Sequence, residues 1–72
     1  MVSKIGKMVT NSSWTYLVLD TSANNTRLLL QKEEDKELII ATNVVWTGED
    51  KCYWGNGYYY GHDVKEAMKA FK

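Results

Sequence analysis

The chain has 72 residues, 44% hydrophobic and 12% aromatic, with nine basic side chains balanced by nine acidic ones. So short a chain forms one domain, residues 1–72, with a core near the lower limit for independent folding. Its hydrophobic content and zero net charge exclude a disordered chain and a global field that would draw it to nucleic acid or anionic lipid.

A lone cysteine, Cys52, and a lone histidine, His62, exclude an intrachain disulfide framework and a structural zinc site. No segment approaches the roughly 20 apolar residues of a membrane span. Residues 1–10 lack the apolar stretch of a signal peptide. The expectation is a cytoplasmic protein with no membrane contact. The sequons Asn11-Ser12-Ser13 and Asn24-Asn25-Thr26 then read as turns.

In chain order, residues 5–10 are weakly strand-like and broken by Gly6, and Asn11-Ser12-Ser13 is turn chemistry. Residues 14–19 are aromatic and β-branched and predict a strand. A polar loop over 20–25 leads to two clear strands, 27–32 and 37–46, joined by the acidic turn Glu33-Glu34-Asp35-Lys36. Thr47-Gly48-Glu49-Asp50 turns the chain into a strand at 51–54. Gly55-Asn56-Gly57 then permits a bulge or tight turn before Tyr58-Tyr59-Tyr60.

The last segment is the best specified. Asp63 is a good N-cap and Glu66 completes a capping box. Val64, Ala67, Met68 and Phe71 fall on one helical face, while Lys65, Lys69 and Lys72 lie off it. A helix of about nine residues is too short to stand alone in water and must lie on the sheet. The predicted fold is α+β: an antiparallel meander of four to five strands with one C-terminal helix on one face.

Register assigns the faces. Pairing Lys32 with Glu37 sets Leu30 opposite Ile39, Leu29 opposite Ile40 and Leu28 opposite Ala41. Pairing Thr47 with Asp50 sets Val45 opposite Cys52 and Val44 opposite Tyr53. Alternation then gathers Leu28, Leu30, Ile39, Ala41, Val45, Cys52 and Trp54 on a face suited to the helix. The other face carries Leu29, Leu38, Ile40, Val44, Trp46 and Tyr53, more apolar than a half-solvated sheet normally shows. One short helix cannot cover both faces. The second is covered either by the N-terminal segment or by another chain.

The expected partner surface is therefore Leu29, Ile40, Val44, Trp46 and Tyr53, with Tyr58 and Tyr60 as the further candidates. Tyrosine and tryptophan dominate protein–protein hot spots. The partner would be another protein or a second copy of the chain. A second reading has the aromatic group Trp54, Tyr58, Tyr59 and Tyr60 stacking single-stranded bases, although basic residues near it are few.

For catalysis, Cys52 with His62 and Asp63 is the one conceivable constellation, and Cys52 is expected on the core side. The acidic turn lacks the alternating donors and glycine of a calcium loop. Gly55-Asn56-Gly57 lacks the lysine of a phosphate loop. The expectation is a non-enzymatic protein with no cofactor and no metal.

The pattern Trp54-x-Asn56-Gly57-x-Tyr59-Tyr60 followed by Val64-x-Glu66-Ala67-x-x-x-Phe71 resembles the ending of short proteins encoded by phages and mobile elements. There a meander strand runs into a short amphipathic helix. The resemblance covers the last quarter of the chain. It implies a small accessory protein, including inhibitors of the anti-CRISPR type, which act by occluding a surface on a larger target without catalytic residues.

Overall fold

The turn and strand signals resolve into five strands and one helix in the computed structural model, which describes residues 4–71. The strands are β1 (Met8–Asn11), β2 (Trp14–Thr21), β3 (Leu28–Lys32), β4 (Leu38–Trp46) and β5 (Cys52–Gly61), and α1 (Val64–Phe71) closes the chain. They form one sheet in the order β1-β2-β3-β4-β5, each strand antiparallel to the next. Among the described residues, no helix is long and apolar enough to cross a membrane. The expectation for Lys72 lies outside the described residues, as do the first three positions of the signal-peptide reading.

The β3–β4 hairpin pairs as its hydrophobic pattern requires: Leu30 opposite Ile39, Leu29 opposite Ile40, Leu28 opposite Ala41. The next hairpin departs from expectation by one residue. The Thr47 N–H bonds the Lys51 carbonyl at 2.9 Å, so Val45 lies opposite Tyr53 and Val44 opposite Trp54. The stretch 51–54 and the tyrosine run also belong to one strand, since Gly55 and Gly57 leave β5 extended. Gly57 serves close approach: a Cβ there would stand 3.1 Å from the Trp54 indole nitrogen.

The sheet also changes phase. Asn43, at φ 55, sits opposite Gly55, and Asn tolerates this left-handed conformation better than most residues. An irregular residue in a strand re-aims the side chains that follow. Ile39 and Ala41 point to one side, and after Asn43 it is Val44 that joins them in a buried cluster while Val45 is exposed. Register shifts between Val18 and Asp20, and between Leu38 and Ile39, add further bends.

With these bends the sheet curls nearly into a barrel. Thr10 bridges Lys51 in parallel, its N–H bonding the Asp50 carbonyl at 2.8 Å, and the Asn11 side chain reaches the Cys52 carbonyl at 3.1 Å. The concave side buries Val9, Tyr16, Val18, Leu28, Leu30, Ile39, Ala41, Val44 and Cys52, with Trp46 and Trp54 packed against them. The convex side buries Leu29, Leu38 and Ile40 with Ala67 and Phe71 of α1.

The expected assignment of faces is therefore reversed. The helix lies with Leu29, Leu38 and Ile40, and the face expected to receive it closes on β1 and β2 instead. Periodicity sees a flat sheet, whereas curling lets one face cover itself. Asp63 caps the helix through its carboxylate to the Glu66 N–H (3.1 Å) and its carbonyl to the Ala67 N–H (3.0 Å). The Asp63 N–H points to the Tyr60 carbonyl at 3.4 Å, where the reciprocal Glu66 carboxylate of a full capping box would sit. Of the four apolar helix positions, Ala67 and Phe71 are buried and Val64 and Met68 are exposed.

Candidate functional site

The residues expected to meet a partner divide sharply. Leu29 and Ile40 are 0% and 2% exposed on the convex side with α1, and Val44 belongs to the concave core. These three present no surface to another chain. Trp46 is half-buried, its indole N–H bonding the Asn25 carbonyl at 2.8 Å and its ring lying 4.8 Å beneath the Lys4 ammonium. Tyr60 is partly buried against the helix-side cluster. Only Tyr53 and Tyr58 stand out in solvent, at 54% and 53% exposure.

Two exposed residues of β4 and β5 lie outside the surface expected for a protein partner, although Tyr59 belongs to the aromatic group expected to stack bases. Tyr59 is 65% exposed, and Val45 is exposed directly opposite Tyr53. The signal for Val45 was Asn43 with Gly55 across from it, a pairing poor in strand formers that marks a change of phase. Tyr59 carried no such signal, because its exposure follows from where β1 stops. β1 meets β5 only near Lys51, so residues 53–61 have no strand partner on their outer side among the described residues.

Backbone directions along that edge follow from alternation. The Lys32 N–H bonds the Glu37 carbonyl, so Ile39 and Ala41 turn their peptide groups to β3, and Ile40 and Thr42 turn theirs to β5. Tyr58 and Asn56, opposite Ile40 and Thr42, therefore bond β4. Gly57 and Tyr59 direct their N–H and C=O groups outward.

The electrostatic setting of Tyr16 is acidic. Tyr16, whose ring meets Trp54 edge-on at 5.3 Å, has its hydroxyl pKa raised by burial and then by the negative charge of Tyr59, Asp35 and Glu37. The acidic turn is tied to the end of β5 by a 2.8 Å hydrogen bond between His62 Nε2 and the Asp35 carbonyl. Two carboxylates and Tyr59 thus act together on the Tyr16 hydroxyl.

The catalytic constellation does not assemble. Cys52 opens β5 and His62 follows its last residue, separated by roughly 30 Å of extended strand at about 3.3 Å per residue. Cys52 borders an open cleft of about 440 Å³ lined by Thr10, Asn11, Ser12, Thr47, Lys51 and Tyr53. Burial pushes its thiol pKa up to about 11, against a lesser lowering by Lys4. A thiol held protonated is a poor nucleophile. No group of three or more His, Cys, Asp or Glu side chains is placed to hold a metal among the described residues.

This gives a pH prediction with a definite sign. Because the folded-state pKa is raised above its ordinary value of 9.0, the stability it contributes is complete below pH 9 and is lost as pH climbs towards 11. The expected loss is on the order of 1–2 kcal/mol. Denaturant melts of wild type and Cys52→Ala across pH 8–11 should converge with rising pH, and parallel curves would contradict it. No protein-family model, curated protein or solved structure matches the chain.

Proposed function

We propose that the chain is a small non-enzymatic protein-binding module that engages its partner through the aromatic surface of β5. One observation carries the reading: Tyr53, Tyr58 and Tyr59 all stand more than half exposed on a strand with an open edge. Exposing three large rings on so small a domain serves no folding purpose. Tyrosine supplies wide contact area with few rotatable bonds, which suits it to interfaces. An inhibitor or adaptor that occludes a larger target, as the C-terminal resemblance implies, is one form of this function.

The neighbouring charge favours protein over single-stranded nucleic acid. Residues 53–61 carry no cation, and Asp35 and Glu37 act on the Tyr16 hydroxyl together with Tyr59. A phosphate backbone wants a basic groove there instead. The test uses the double variant Tyr58→Ser, Tyr59→Ser, whose rings are exposed and whose melt should match wild type. Affinity capture from the native host's lysate should retain a protein on wild type that the variant loses. Fluorescence anisotropy with a labelled oligothymidylate should show no binding to either. Tight oligothymidylate binding that the variant abolishes would instead establish the nucleic-acid reading.

A further inference from the structure

Folded sheets protect a free edge with charges, proline, bulges or a covering element. Residues 53–61 contain no charged side chain and no proline. The one bulge of β5 falls at Tyr60, near the end of the strand, where Leu38 pairs with Gly61 and Ile39 with Tyr59. The buried residues of α1 lie with Leu29, Leu38 and Ile40 of β3 and β4 and with Tyr60 near the end of β5, and no strand among the described residues pairs with the outer side of residues 53–59. An unguarded edge of this length is a template for another strand.

We propose that this edge pairs antiparallel with β5 of a second copy of the chain, which rests on the protein-binding reading and names its partner. Gly57 and Tyr59 are the residues whose peptide groups face outward. A two-fold axis beside Tyr58 lets Gly57 of one copy exchange both N–H···O bonds with Tyr59 of its partner, and the reverse. Tyr58 then faces its own counterpart as the closer, non-hydrogen-bonded pair, where cross-strand aromatic contacts are favourable. The Tyr59 ring comes to lie opposite Gly57 of the other copy, beside the Trp54 indole that packs over that glycine. A two-fold interface must be complementary to itself.

Charge selects the same occupant. A residue at a two-fold axis meets its own copy, so any charge on the edge would repel itself, and this edge has none. The chain as a whole carries zero net charge, so two copies approach without net repulsion. A basic extended peptide drawn by Asp35 and Glu37 is the competing occupant.

Analytical ultracentrifugation of the full chain over a wide concentration series decides the matter. Wild type should form a reversible dimer. Tyr59→Lys, which places like charges on the shared edge at an exposed site, should raise the dimer dissociation constant at least about tenfold with an unchanged thermal melt. Val45→Lys adds the same charge on an exposed site of β4, which is not an edge strand, and should leave the dimer intact. A wild type that stays monomeric throughout overturns the pairing, and so does dissociation by Val45→Lys with Tyr59→Lys silent. A monomer that still captures a different protein through Tyr58 and Tyr59 overturns self-pairing alone and leaves the protein-binding reading standing.

Discussion

Replacing Phe71 with alanine is expected to destabilise the domain by about 3–5 kcal/mol, the range for removing a buried aromatic ring. Phe71 is buried with Leu29, Leu38, Ile40 and Ala67, and it is the largest side chain that α1 contributes to the convex side. Its loss opens a cavity at the one place where the helix and sheet share a core. The residue also closes the helix end: the Arg27 guanidinium lies 4.8 Å over the ring and donates to the Phe71 carbonyl at 2.8 Å. Asp63→Ala, at the opposite end, removes one capping acceptor and should cost only about 0.5–2 kcal/mol. Urea melts of the two variants should rank in that order. A Phe71→Ala melt that coincides with wild type would show that the helix contributes nothing to the core.

The largest effect belongs to Leu29→Asp, which should leave the chain unfolded at room temperature. Leu29 has no exposed surface among Leu38, Ile40, Ala67 and Phe71, and the Arg27 guanidinium over the Phe71 ring is already bonded to the Phe71 carbonyl. Burying such a group unpaired costs several kcal/mol even when it escapes by protonation. A small domain holds only about 5–15 kcal/mol in reserve, and one of this size sits at the low end. Far-ultraviolet circular dichroism reads the outcome directly. If the variant stays folded and loses only association, Leu29 belongs to a partner surface and the helix lies elsewhere.

How much of this was legible in the sequence differs by element. The β3–β4 pairing was legible because both strands are continuous apolar runs, 28–30 and 38–41, and the acidic turn between them leaves one register that buries Leu28 and Leu30 together. The helix start was legible because a cap is a local event, fixed by Asp63 and the N–H groups just beyond it. The reversal of faces was not. It depends on Val9, Tyr16 and Val18 reaching across the curl to Leu28 and Val44, contacts between distant segments with no periodic trace. The surface inherited the same limit. Val44 and Val45 exchange roles through the conformation of Asn43 alone, and Tyr59 is exposed because a different strand ends early.

The seam where Thr10 meets Asp50 and Lys51 also orders the events of folding. Every other strand pairing joins segments adjacent in the chain, so each closes a short loop at small entropic cost. The seam alone joins segments about forty residues apart, and its bonds reward that closure only once β2 to β5 already hold the two ends near each other. The ladder from β2 to β5 can thus assemble stepwise from local contacts, and the seam forms last. By the same reasoning it opens first, and the Thr10 amide should exchange with solvent deuterium well before the amides of Leu30 and Ile39.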